Sequence, residues 1–276
     1  LNHMIYEIVD NSVDEHLAVY GDTIHVTLND DGSCTVEDNG RGIPVGMHAK
    51  GVSAERVVFT TLHAGGKFDH SVYKTSGGLH GVGSSVVNAL SSFMDVQIKR
   101  DGHIYHDRYE KGKPAQKLIK GLLPVIGDTK ETGTTITFLP DPTIFEKTRF
   151  KEDEIKSRLH ETAYLNPALT IIYDDNREGM DEHEVYHEED GLSGFIRDLN
   201  ANNEPVTDIV TLSGESDGIQ VDVAFQFVNE FHENIMGFCN NIYNAEGGTH
   251  ITGFKTIFTT VINSYARTLG ILKDKD

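Results

Sequence analysis

The chain has 276 residues, enough for one large or two ordinary domains, and its 38% hydrophobic content can build real cores. With 24 Lys plus Arg against 43 Asp plus Glu, the formal net charge is -19, which opposes docking of the segment as a whole on a nucleic-acid backbone. No apolar run reaches the length of a membrane span or forms a signal h-region, so neither membrane nor secretion is expected, and the cytoplasm is the default.

The chain begins at Leu1, almost directly in a helix, and reads as an excised piece of a longer one. That first predicted helix is Met4 to Tyr20, MIYEIVDNSVDEHLAVY. At about 100° per residue, Ile5, Ile8, Val9, Val13 and Tyr20 share one side. The opposite arc carries Glu7, Asp10, Asn11, Asp14 and Glu15, and the like-charged Asp10 and Asp14, one turn apart, need compensation. A solvated polar face is the plainer reading of that arc. Asn11 argues for more, because an amide beside carboxylates suits a hard cation that keeps waters and phosphate oxygens as its other ligands.

Thr23 to Leu28 alternates as a strand, Asp30-Asp31-Gly32 is a hairpin turn, and a second strand over Cys34 to Val36 runs into Glu37-Asp38-Asn39-Gly40-Arg41-Gly42-Ile43-Pro44. The result is a loop with a carboxylate at its root. Ser53 is placed to cap a helix running to about His63. The segment from Ala64 to Gly83 is bounded by glycines, carries Lys67 and Lys74, and reads as a functional lid rather than a connector. It closes on a helix over Ser84 to Leu90, whose glycine-rich start, Gly81 and Gly83, leaves backbone N–H groups open to an anion.

Strands are predicted at Asp95 to Lys99, His103 to Tyr109, Thr134 to Leu139 and Leu169 to Tyr173, with an amphipathic helix over Lys151 to Leu165 ended by Asn166-Pro167. The mixture lacks strict βαβ alternation, so the fold class is α+β, one antiparallel or mixed sheet with a helical layer. Further on come a strand through Val185, a helix over Gly191 to Leu199, and a strand over Ile219 to Phe227 with Met236 to Asn240 as its expected partner. A long helix from Thr249 to about Leu269 closes the chain. The two cysteines, Cys34 and Cys239, lack a CxxC partner, which argues against a disulfide framework or zinc ribbon; both are expected as buried or strand thiols.

His183-Glu184-Val185-Tyr186-His187 matches the HExxH pattern, which binds zinc only on a helix. Its acidic flanks and Val185-Tyr186 favour a strand, where the two histidines would stand roughly 13 Å apart at about 3.3 Å per residue. Zinc is therefore not expected there.

No Walker loop is present, and Gly40-Arg41-Gly42 lacks the third glycine of a dinucleotide fingerprint. The specific signal is an ordered combination: Glu7-x-x-Asp10-Asn11, Asp38-x-Gly40-x-Gly42, Gly78-x-x-Gly81-x-Gly83, and Gly133-Thr134 before a strand. With AGGKF at Ala64, SGGLHGVG at Ser76, VVNAL at Val86 and EGGTH at Glu246, the chain closely resembles the GHKL ATPase superfamily over nearly its whole length. Within that superfamily it is similar to the B subunits of bacterial type IIA DNA topoisomerases, with gyrase and topoisomerase IV unseparated.

The resemblance implies a GHKL (Bergerat) ATP-binding sandwich over residues 1–185 and the N-terminal part of a truncated, β-rich transducer domain over 186–276. It implies ATP and Mg2+ as ligands, with Glu7 as general base and Asn11 on the metal. Asp38 would accept from the adenine amino group, assisted by Thr134 through water. Val36, Ile43, Pro44 and Val58 would line the base pocket beside Gly42, and Arg41 would stack at its mouth and pair with Glu15. Gly78, Leu79, His80, Gly81, Val82 and Gly83 would wrap the triphosphate, His80 being equally readable as a structural loop histidine. Lys67, Tyr73 and Lys74 would contact nucleotide from the lid, or be ordinary surface and packing residues.

The implied partners are a topoisomerase A subunit, DNA, and a second B subunit on ATP binding. The arm that precedes the first helix in the family and the later lysine loop are both missing. A monomeric segment that binds ATP better than it hydrolyses it is expected. His106 stands where some gyrases carry an arginine beside the pocket. The alternatives are a chaperone or mismatch-repair ATPase of the same superfamily, or a nucleotide sensor without turnover.

Overall fold

The computed structural model describes residues 1–62 and 81–273. The chain forms two compact units, Leu1–Asn229 and Glu230–Asp276. Helix α1 (His3–Leu17) buries Ile5, Ile8, Val9 and Val13 of the predicted arc but not Tyr20, together with Met4, Ser12 and Asp14. Asp14, expected on the polar arc, is thus part of the interior. The helix stops at Leu17 rather than Tyr20 because Val19 enters the left-handed region at φ 69°, and the N–H groups of Val19 and Tyr20 turn back onto His16 and Glu15. The charge of Asp10 is met by Arg158, 3.9 Å away.

Strands β1 (Thr23–Leu28), β2 (Cys34–Asp38), β3 (Ser91–Arg100), β4 (His103–Glu110), β5 (Lys113–Pro114), β6 (Val125–Asp128), β7 (Gly133–Pro140), β8 (Thr170–Asp175) and β9 (Glu182–Tyr186) form one sheet. Its order is β5-β4-β3-β7-β2-β1-β8-β9, with β6 added to β4. Every pair is antiparallel except β1–β8, so the sheet is mixed.

A period of two lets register decide which side chains meet. Tyr173, Val26, Val36, Ile136, Val96 and Asp107 make one row across the helix-covered face. Ile171, Ile24, Asp38, Thr134, Ile98 and Tyr105 make the next. The opposite face is polar, with the hydroxyls of Thr35 and Thr137 in contact at 2.8 Å.

The helical layer consists of α1, α2 (Ala54–Thr60), α3 (Gly83–Ala89) and α4 (Glu152–Leu165). Ser53 precedes α2 but does not cap it; its hydroxyl donates to the Val45 carbonyl at 3.2 Å, fixing the loop instead of the helix start. Asn88 of α3 donates to the Phe59 carbonyl near the end of α2 at 3.0 Å, which ties α3 to α2. Behind α4, a buried Asp175–Arg177 pair also reaches the Phe150 carbonyl.

Helix α5 (Gly191–Leu199) stacks Phe195 on Tyr164 of α4 with ring centres 5.1 Å apart. Strand β11 (Ile219–Phe225) pairs with β10 (Val210–Ser216), not with the expected Met236–Asn240. The reason is local. Asp217 and Gly218 both take positive φ, 53° and 77°, and a two-residue turn of that hand closes a hairpin at once. The second unit holds a short hairpin, β12 (Phe238–Cys239) with β13 (Ile242–Tyr243), and α6 (Thr249–Thr268). Both cysteines lie in strands, Cys34 buried and Cys239 exposed.

Candidate functional site

Helix α1 aims its polar arc at the start of α3. Glu7 is exposed, and a Cβ added at Gly83 would stand 2.2 Å from its Oε2 atom, so any side chain at 83 would displace the carboxylate. One turn later Asn11 donates to the Ser84 hydroxyl at 3.0 Å and to the Glu7 carbonyl at 2.8 Å. A carboxylate and an amide are thereby presented beside a glycine-containing helix start, where backbone N–H groups have no partner within the helix. Gly81, at φ 59°, and Val82 complete the described part of that turn.

The other end of the site is built on β2 and β7. Asp38 ends β2 opposite Thr134, and its Oδ1 accepts the backbone N–H groups of Gly40 at 2.9 Å and Thr134 at 3.3 Å. Its Oδ2 accepts the Ser12 hydroxyl at 2.9 Å. Burial pushes the Asp38 carboxyl above its ordinary range, and these three donors oppose the shift. Gly133 allows the close register: a Cβ there would fall 2.0 Å from the Asp38 carbonyl oxygen, at φ 149°. The Thr134 hydroxyl accepts the Ile43 N–H at 3.3 Å, and Arg100 donates to the Gly42 carbonyl at 2.5 Å, so the loop after β2 is pinned from β7 and β3.

Of the residues expected to line a base pocket, Val36 is buried, Ile43 and Val58 are partly buried against the core, and Pro44 is exposed. Arg41 forks onto Glu15 with contacts of 2.8 and 3.0 Å, the pairing expected from sequence, and its guanidinium lies 3.9 Å over the Tyr20 ring. Tyr20, read from its spacing as a core residue, is exposed and supports the Arg41 guanidinium instead. Ser12 was also not predicted. The available signal was a hydroxyl within the apolar arc of α1, one residue after Asn11.

His106 lies elsewhere: the β4 register turns it to the polar face of the sheet, where it contacts Asp95 at 3.0 Å, on the side opposite Asp38. Lys67, Tyr73, Lys74, Gly78, Leu79 and His80 fall outside the described residues. The HExxH histidines stand on and after strand β9 with separate partners, His183 on Asp174 at 2.6 Å and His187 on the Leu169 carbonyl at 3.3 Å. A strand accounts for both.

The family model for histidine kinase-, DNA gyrase B-, and HSP90-like ATPases matches residues 1–144, and that for DNA gyrase B matches residues 191–276. The B subunit of DNA topoisomerase 4 from Staphylococcus epidermidis is 51% identical over 278 aligned residues, covering 100% of this chain and 41% of that protein. The corresponding Staphylococcus aureus protein gives the same identity and coverage, 51%, 100% and 41%. This chain thus spans about 41% of the length of those relatives. The crystal structure of the 43K ATPase domain of Thermus thermophilus gyrase B in complex with an aminocoumarin superposes with a TM-score of 0.81 at 35% identity, covering 100% of this chain and 70% of that one.

Proposed function

The chain belongs to the histidine kinase-, DNA gyrase B- and HSP90-like ATPases, and within them to the B subunits of bacterial type IIA topoisomerases; from that premise we propose that it binds ATP with magnesium. In the full-length protein, ATP binding would close a dimer of B subunits around DNA, and hydrolysis, together with the A subunit, would reset it. The observation that carries this reading is the convergence of Glu7 and Asn11 on the start of α3, in a chain whose Asp38 is bonded to Ser12, the next residue of α1.

The chemistry follows from the residues. Phosphoryl transfer needs positioning and charge neutralisation more than covalent help. Glu7 would take the proton of the attacking water, and the Gly81–Gly83 backbone would hold phosphate oxygens. The amide of Asn11 fits magnesium because its nitrogen is already committed to Ser84 and to the Glu7 carbonyl, which fixes the side-chain plane, and because a hard cation that keeps waters and phosphate oxygens needs few protein ligands. Magnesium bound there would supply charge neutralisation at the phosphates. Asp38 would accept the exocyclic amine of adenine and repel the carbonyl that guanine presents at the same place. Lys67, Tyr73, Lys74, Gly78, Leu79 and His80 are proposed as lid and phosphate-loop contacts.

The two family matches end at 144 and begin at 191, which supports a division between an ATP-binding domain, 1–185, and a transducer part, 186–276. Among the described residues no helix is long and apolar enough to cross a membrane, and we propose the cytoplasm, where DNA is. The segment alone is proposed to be monomeric and a weak ATPase.

Calorimetric titration with a non-hydrolysable ATP analogue, with and without magnesium, tests the assignment. Wild type is expected to bind in a magnesium-dependent manner, and Asp38→Asn to lose at least about tenfold in affinity. Binding indifferent to Asp38 would mean that the base pocket lies elsewhere.

A further inference from the structure

Ser12 is 5% exposed and sits on the arc of α1 that otherwise buries Ile5, Ile8, Val9 and Val13. A hydroxyl in such a place is unfavourable unless it is hydrogen-bonded, and its partner here is Asp38 Oδ2 at 2.9 Å. The two oxygens of Asp38 are therefore held by different elements. The Oδ1 atom is fixed by the Gly40 and Thr134 N–H groups, from the loop and from β7, and Oδ2 by α1. A carboxylate offers about four lone-pair sites, so the three donors among the described residues leave about one to a ligand and hold the carboxyl plane from two sides.

We propose that Ser12 is a positioning residue for base recognition, orienting Asp38 so that its remaining acceptor site receives the exocyclic amine of a 6-aminopurine. This rests on the nucleotide reading above and deepens it. The hydroxyl also favours the ionised carboxyl against burial; the charged group facing Asp38 is Glu15 from α1, whose own charge is matched by Arg41. Without the hydroxyl, the carboxyl keeps both N–H contacts on one oxygen and loses, among the described residues, the side-chain bond on the other. Its acceptor site for the amine is then neither fixed in direction nor reliably unprotonated. Binding of the sugar and phosphates, which use the α1–α3 junction, does not depend on that bond.

The test compares the non-hydrolysable triphosphates of adenosine and of purine riboside, which lacks the 6-amino group, on wild type and Ser12→Ala, with thermal midpoints measured on the same samples. Wild type is expected to prefer the adenosine compound. Ser12→Ala is expected to lose roughly tenfold in affinity for it and less than about twofold for the purine riboside compound, collapsing the preference. Equal losses for both compounds would assign Ser12 a merely structural part and overturn the proposal, as would an unchanged preference. A wild type with no preference for the 6-amino group would overturn the base-recognition reading itself, before any variant is compared.

Discussion

The Glu7 carboxylate lies against a glycine on α3, with no side-chain hydrogen bond or ion pair among the described residues: any Cβ at position 83 would occupy its place. The base role proposed for Glu7 would contribute to the step in which water loses its proton and little to holding the nucleotide, so its removal should separate the two. In a longer protein that turns over, Glu7→Gln is expected to keep the affinity for a non-hydrolysable ATP analogue within about twofold. Steady-state hydrolysis should fall by at least about a hundredfold. Parallel losses in binding and turnover would remove Glu7 from the base role.

Among the elements, α2 is where the interior departs most from a plain apolar core. Its Glu55 and Arg56 face Asp107 and Tyr109 of β4: Arg56 forks onto Asp107 at 2.6 and 2.9 Å, and the Tyr109 hydroxyl lies 2.8 Å from Glu55 and 2.9 Å from Asp107. One hydroxyl hydrogen cannot serve two carboxylates, and Glu55 Oε2 is buried with no partner among the described residues. Burial first, and the neighbouring Asp107 charge second, push the Glu55 carboxyl well above its ordinary range, so the folded protein holds a proton there that the unfolded chain releases.

The sign follows from linkage. This contribution to stability is complete below the unfolded-state value and is lost as pH rises from there to the raised folded-state value, at about 1.4 kcal/mol per pH unit. Glu55→Gln cannot ionise and should escape that loss. Its thermal midpoint relative to wild type is expected to rise between pH 4.5 and pH 8, as differential scanning calorimetry at several pH values would show. A constant offset across that range would contradict a protonated Glu55.

At the scale of the whole molecule, the net charge of -19 sets the terms of any contact with DNA. Binding a phosphate backbone gains most of its free energy from releasing counterions to Lys and Arg side chains, and a surplus of carboxylates works against that gain. The segment by itself is expected to leave a short DNA duplex unretarded in a gel-shift assay at about 50 mM salt. Retardation at that salt would show a basic surface that the overall charge conceals.

Much of this protein was determined by local pattern. The 3.6-residue period of α1 and the alternation of β1 depend on neighbours in the chain, and the α+β class could be read from them; the ordered set Glu7, Asn11, Asp38, Gly81, Gly83 and Thr134 marked the candidate site once the family resemblance was added. What only the tertiary structure decided depends on register and close approach between distant segments. Pairing Asp38 with Thr134, seating Glu7 against Gly83 and turning His106 to the far face of the sheet are set by strand register and helix packing. The same holds for Ser12, Asp14 and Tyr20: one helix period says which residues share an arc, but only the opposing sheet and loop decide whether a hydroxyl finds a carboxylate, an acid is buried, or a ring supports an arginine.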